Sequence, residues 1–247
     1  MKIIMTGMNG TVAPFVAKYF VEKGYEIIAY NRDEVPIGNE GLIETFIQIH
    51  QPKIVIHFAL GSNEWTKKLA RICSKHHIDF VYISTVSVFS NENMGPHDIY
   101  SKPDATDDYG QYKIEGEKAT EENHKNPYII RLGWQIGYEK TNNQMLQFLY
   151  EKMRVDGVIK ASCLWYPSTS FIKDTAQAIH QIVSCLDPGI YHVNSNDQYS
   201  YFDIVTYLTT LYPDLKVLKT KDFKADHRMI DDRVSIRKFS EVLPQSQ

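Results

Sequence analysis

The chain has 247 residues, 43% hydrophobic and 23% charged, with a formal net charge of −3, the profile of an ordinary globular protein of one α/β domain or a nucleotide domain with a small lobe. The slight acidic excess excludes a nucleic-acid surface built on bulk positive charge. The longest apolar runs, such as Lys53–Leu60 (KIVIHFAL), are too short to span a bilayer, and the opening MKIIMTG has no leader-like apolar region, so a cytoplasmic protein without membrane or nucleic-acid partners is expected.

Residues 2–6 (KIIMT) read as a short β-prone strand ending at Gly7. Val12, Phe15, Val16, Tyr19 and Phe20 follow at helical spacing over residues 11–23, with Gly24 closing the helix. Residues 25–30 (YEIIAY) make a second strand, completing a βαβ unit that implies a parallel sheet. The alternation continues with a helix over Leu42–His50, a strand over Lys53–Phe58, a helix over Glu64–His76 and a strand over Phe80–Ser84. The fold class predicted is α/β, a doubly wound (Rossmann) parallel sheet. Beyond it, Gln144–Arg154, Asp174–Cys185 and Tyr201–Leu211 read as helices and Gly189–Val193 as a strand, while the tail from Pro213 is mixed. A soft boundary near residue 140 separates a dinucleotide-binding domain (1–140) from a small C-terminal substrate-binding lobe (141–247), with room for some lobe segments to return to the sheet.

Four places carry chemistry. Thr6-Gly-Met-Asn-Gly-Thr-Val-Ala13 has the pattern TGxxGxxA between strand and helix. Gly7 permits the tight turn, Gly10 lets backbone approach a pyrophosphate, and Ala13 keeps the helix against the sheet. Gly7, Asn9, Gly10, Thr11 and Val12 are therefore cofactor-binding candidates, with the helix N-terminus offering N–H groups to phosphate. Strand two ends Tyr30-Asn31-Arg32-Asp33. Asn31 stands where NAD-preferring sites put an acid, and the guanidinium of Arg32 suits a 2′-phosphate, so NADP(H) is favoured over NAD(H).

Tyr109 and Lys113 lie four residues apart on a predicted helix over Gln111–Thr120, hence on one face. A phenol is a poor acid–base group at neutral pH, and a nearby ammonium is expected to lower its pKa. Tyr112 precedes Lys113 directly and points off that face. Thr85 directly follows the strand Phe80–Ser84, at the carboxyl edge where open α/β sheets place ligands, with Ser84 and Ser87 beside it. Its hydroxyl is placed to donate to a carbonyl oxygen while Tyr109 delivers a proton. Three widely spaced cysteines and nine histidines without an HxxxH pair give no metal site. The stretch Trp165–Phe171 (WYPSTSF) is a candidate sugar-facing wall or an ordinary loop packed on the core.

These residues resemble the extended short-chain dehydrogenase/reductase family, and within it the dTDP-4-dehydrorhamnose reductases and related nucleotide-sugar reductases. The resemblance rests on TGMNGTVA (6–13), VIHFA (55–59), YISTVSVF (82–89), YGQYKIEGE (109–117), IIRLGWQIG (129–137) and, more faintly, DDRVSI (231–236). It implies Thr85, Tyr109 and Lys113 as a catalytic triad, Ala59 among the cofactor contacts, and Ser87, Trp134 and Arg233 among the substrate contacts, with Arg131 structural. It implies NADPH-dependent reduction of a nucleotide-linked keto-sugar in deoxysugar biosynthesis, by a monomer or homodimer. Two alternatives stand beside it: an epimerase or dehydratase holding NAD, and a non-catalytic NADP-binding regulatory protein. The chain departs from the pattern at Val86, where an Asp is usual, in the short stretch from Ala59 to Glu64, and around Arg233, where Pro and Asn are missing.

Overall fold

Strand β1 (Lys2–Thr6) sends Ile3 and Met5 to one side and Ile4 to the other, all fully buried, which requires cover on both faces of a sheet. The computed structural model describes residues 1–137 and 144–243. In chain order the elements are β1, α1 (Ala13–Glu22), β2 (Glu26–Ala29), α2 (Glu40–His50), β3 (Ile54–His57), α3 (Asn63–Lys75), β4 (Asp79–Thr85), α4 (Asp108–Asn123) and β5 (Tyr128–Leu132). They are followed by β6 (Trp134–Ile136), α5 (Gln144–Asp156), β7 (Ile159–Tyr166), β8 (Thr169–Phe171), α6 (Ile172–Cys185), β9 (Ile190–Val193), α7 (Tyr201–Leu211) and β10 (Val217–Asp226).

Six strands form one parallel sheet in the order β2-β1-β3-β4-β5-β9. The chain reverses direction across the sheet between β1 and β3, so the carboxyl ends of those two strands flank the switch-point crevice. On one face, Val16 and Phe20 of α1 and Ile179 and Ile182 of α6 pack on Ile3, Met5, Ile56 and Ile83. On the other, Ile43 and Ile47 of α2 and Trp65 and Leu69 of α3 pack on Ile4, Val55, Phe80 and Tyr82. The doubly wound sheet expected from the sequence is the fold.

Local caps set the helix starts. Asn39, Ser62 and Asp107 accept backbone N–H groups at the starts of α2, α3 and α4, and Ser200 and Asp203 form a capping box on α7. Helix α1 lacks such a cap and carries Pro in its first turn.

The expected boundary at residue 140 lies outside the described residues. From the second half, α6 and β9 belong to the main sheet and its cover, whereas α5, β7, β10 and α7 surround a separate apolar cluster that includes Leu146, Leu149, Ile159, Tyr201 and Leu208. Two short parallel pairs, β7–β10 and β6–β8, complete that region.

Candidate active site

A cleft of about 540 Å³ runs along the carboxyl edge, lined by the turn after β1, the ends of β3 and β4, and the first turns of α4. Gly7 starts the turn at φ +76°, and a Cβ there would come within 2.9 Å of the Ala59 backbone nitrogen. Only glycine combines that dihedral with so close an approach. Thr6 Oγ1 lies 2.8 Å from His57 Nδ1 and accepts from Ala59 N at 3.0 Å, tying this turn to the end of β3. A Cβ on Gly10 would meet only the Gly7 carbonyl, at 3.1 Å. With no side chain capping α1, its leading N–H groups stay open toward the cleft, which suits an anionic phosphate. This cradle fits the pyrophosphate of a dinucleotide.

Gly7, Asn9, Gly10, Thr11, Val12, Arg32, Ala59, Thr85, Tyr109 and Lys113 all line this one cleft. Arg32 lays its guanidinium 4.9 Å from the centre of the buried Trp65 ring and donates to the Leu60 carbonyl, which holds an otherwise exposed cation at the rim. Asn31 is turned into its own loop, donating to Glu34 and accepting from Asp33 N, and is not among the lining residues.

Helix α4 begins earlier than its sequence pattern suggested, so Tyr109 sits in the first turn, where Asp107 accepts its N–H at 3.1 Å. Tyr109 is 44% exposed. Burial of the phenol raises its pKa, with the Thr85 hydroxyl opposing the shift. The expected lowering by Lys113 is not found. The Lys113 ammonium, only 4% exposed, donates to the Ile83 carbonyl at 2.8 Å and lies over the Tyr82 ring. Its own pKa is pushed down to about 8 by burial, against the favourable charge of Glu117. Tyr112, the competing phenol, accepts a hydrogen bond from Gly61 N and lies outside the cleft lining.

Thr85 Oγ1 accepts from Ser87 N at 3.2 Å and donates to Ser87 Oγ at 3.3 Å. Ser87 faces a second cavity of about 230 Å³, beside the first. Trp134 joins an aromatic cluster with Phe148, Trp165 and Tyr201 and lines neither cavity. Arg233 is not brought to the site. It pairs with Asp231 at 2.8 Å and donates to the Ile190 carbonyl, at the amino end of β9. Two residues that sequence reasoning missed are Gln135, which lines the main cleft and accepts from Thr175, and His227, which lines the second cavity. Gln135 directly follows Trp134, so its segment was in view.

Behind the row lies a buried ion pair. Arg131 of β5 donates from Nε and Nη2 to the two oxygens of Glu117 at 2.9 and 2.7 Å, and Ser84 donates to Glu117 at 2.5 Å. Glu117 lies one helical turn after Lys113, so the ion pair pins the helix that carries Tyr109 and Lys113 to β5, and the Ser84 hydroxyl ties the same carboxylate to β4, the strand that ends in Thr85.

Sheet order, glycine turn and edge cleft together define a doubly wound α/β protein, whose switch-point crevice is where such sheets bind ligands. The chain belongs to the family described as the RmlD substrate binding domain, which matches residues 61–212. Among curated proteins it is 25% identical over 223 residues to the spore coat polysaccharide biosynthesis protein SpsK of Bacillus subtilis (strain 168), covering 83% of this chain and 77% of that one. It is 23% identical over 235 residues to methionine adenosyltransferase 2 subunit beta of Xenopus laevis, covering 82% and 70%. Among solved structures, a dTDP-4-dehydrorhamnose reductase of Bacillus anthracis in complex with NADP superposes with a TM-score of 0.82 at 19% identity, over 97% of this chain and 96% of that one. No described helix is long and apolar enough to cross a membrane.

Proposed function

We propose that this protein is an NADPH-dependent reductase of a nucleotide-linked keto-sugar, acting in the cytoplasm. The observation that carries the reading is the convergence of Thr85, Tyr109 and Lys113 on the same cleft as the Gly7–Ala13 turn and Arg32. The likeness to an NADP-bound dTDP-4-dehydrorhamnose reductase supports the cofactor and the substrate class. The pyrophosphate would sit on the Gly7–Ala13 turn, the 2′-phosphate at Arg32 and the nicotinamide ribose near Lys113.

NADPH, when bound, supplies the hydride that adds to the carbonyl carbon. Thr85 donates a hydrogen bond to the carbonyl oxygen and stabilises the charge that develops there. Tyr109 transfers its phenolic proton to that oxygen, completing the alcohol. Burial favours the protonated phenol, so Tyr109 is in the form needed for this step at neutral pH. The α5, β7, α7 and β10 region forms the substrate lobe over the edge.

A second reading is a cofactor-binding regulatory subunit, favoured by the likeness to methionine adenosyltransferase 2 subunit beta. Retention of both Tyr109 and Lys113 speaks for turnover. An NAD-holding epimerase or dehydratase is disfavoured by Arg32. The test is NADPH oxidation, followed at its absorbance band, against a panel of nucleotide-linked keto-sugars. Reduction of at least one member is expected. Tight NADPH binding with no member reduced would replace this reading with the regulatory one.

A further inference from the structure

The second cavity, about 230 Å³, lies between the 3₁₀ turn Val86–Val88, the loop that leads into α4 and the segment after β10. It adjoins the proposed proton-transfer residues on two sides, because Ser87 is hydrogen-bonded to Thr85 and Asp107 caps α4 at Tyr109. His227 closes it.

The protonation of that imidazole follows from its partner. Trp165 Nε1 lies 3.1 Å from His227 Nδ1. An indole N–H only donates, so Nδ1 is the bare nitrogen and the neutral ring carries its hydrogen on Nε2. Burial lowers the pKa of this histidine, with His97 adding to the effect and Asp226 opposing it. Nε2 is shielded from solvent and has no hydrogen-bond partner among the described residues. A buried donor left without an acceptor is costly, and such groups recur where a ligand completes the bond.

The chemistry of the walls selects the acceptor. Ser87, Asn91 and Thr106 offer hydroxyl and amide groups, while Glu92 and Asp107 bring carboxylates. Carboxylates repel a diphosphate but accept hydrogen bonds from hydroxyl groups. A polyhydroxylated ring therefore fits here and the nucleotide's phosphates do not. We infer that His227 is a specificity-determining residue, whose Nε2–H, uncovered by a side-chain shift at the cavity wall, donates to a ring hydroxyl of the sugar seated in this cavity while the keto carbon lies at Thr85 and Tyr109. Trp165 is the positioning residue that fixes the tautomer. The inference rests on the reductase reading above.

The test uses His227→Asn and His227→Gln with the keto-sugar that the unmodified protein reduces, and with analogues of it each lacking one ring hydroxyl. Asn can still accept from Trp165 but cannot reach the Nε2 position, whereas the amide of Gln can. His227→Asn should lower kcat/KM for the parent sugar about tenfold to a hundredfold, mainly through KM, with NADPH affinity unchanged. For one analogue the two proteins should be equal, and Gln should recover part of the loss. Should His227→Asn fail to fold, Trp165→Phe carries the test and should show the same hydroxyl-dependent loss. Parent kcat/KM kept within about twofold, or an equal penalty on the parent and every analogue, would overturn the role of His227 and leave the reductase reading standing. No turnover of any sugar by the unmodified protein removes that reading, and this inference with it.

Discussion

Arg131→Met tests the buried clamp behind Thr85, Tyr109 and Lys113. Arg131 is 2% exposed and Glu117 5%. The guanidinium makes two charge-assisted bonds to Glu117, and its Nη1 lies 3.2 Å from His192 Nε2. Burial and the Arg131 charge push the pKa of His192 down to about 4, so the ring is neutral and Nε2 accepts. Removing Arg131 leaves a buried carboxylate with Ser84 alone and an imidazole nitrogen without its donor. Breaking a buried pair at one end costs about 3–5 kcal/mol. A domain of this size has about 5–15 kcal/mol in total, so this is a large fraction. At about 2–4 °C per kcal/mol, the melting midpoint should fall by about 6–20 °C. The double variant Arg131→Met/Glu117→Leu removes both charges together and should recover most of the loss, since apolar replacement of a whole buried pair is often close to neutral. Urea unfolding with an unchanged m-value is the assay. A single-variant loss below about 1 kcal/mol, or a double variant no better than the single, would show that the clamp does not carry this energy.

Three further outcomes are expected. The unmodified protein should bind NADPH about ten- to a hundredfold more tightly than NADH, and Arg32→Ala should erase the difference, since one charge-assisted phosphate contact is worth about 1.5–3 kcal/mol; equal affinities in the unmodified protein would remove Arg32 as the 2′-phosphate contact. Gly10→Val places a branched side chain against the Gly7 carbonyl and into the cleft, so a cofactor titration should show binding lost while the melting midpoint falls only modestly; unchanged binding would move the phosphates elsewhere. The Lys113 ammonium loses its proton as pH rises through about 8, so NADPH affinity should weaken above that pH and Lys113→Met should flatten the profile. The same depressed pKa means that the unfolded chain holds this proton more firmly, so the Lys113 contribution to stability should rise from about pH 8 toward ~10.4, the reverse of the binding trend.

The sheet was legible wherever one signal dominated. Continuous apolar strands alternating with amphipathic helices placed the first four strands and the first four helices within a few residues, and Gly7–Ala13 marked the cleft, whereas β5 (Tyr128–Leu132) was not read as a strand. The β7–β10 pair was not legible. Most side chains of β10 are exposed over ten residues, so it has no apolar period to read, and it is held by pairing with a strand over fifty residues away. The environment of Lys113 was hidden for a similar reason. Helical spacing put it on the face of Tyr109, but the Ile83 carbonyl that takes its hydrogen bond comes from a strand thirty residues earlier. Arg233 was misplaced because its faint motif carried no local geometry, and the chain there runs back to the amino end of β9. His227 had no sequence signal, since the hydrogen bond that fixes its tautomer comes from Trp165, sixty-two residues away.

The most direct measurement is single-turnover reduction of a nucleotide-linked 4-keto-6-deoxy sugar by the NADPH-loaded protein and by its Tyr109→Phe variant. The substitution removes one oxygen from a first-turn residue whose ring remains, so fold and NADPH affinity should be kept. The hydride-transfer rate should fall ~10²–10⁴-fold, the usual worth of a positioned general acid. A Tyr109→Phe variant that reduces the sugar at the rate of the unmodified protein would mean that the proton comes from another group and that the assignment of Thr85, Tyr109 and Lys113 is wrong.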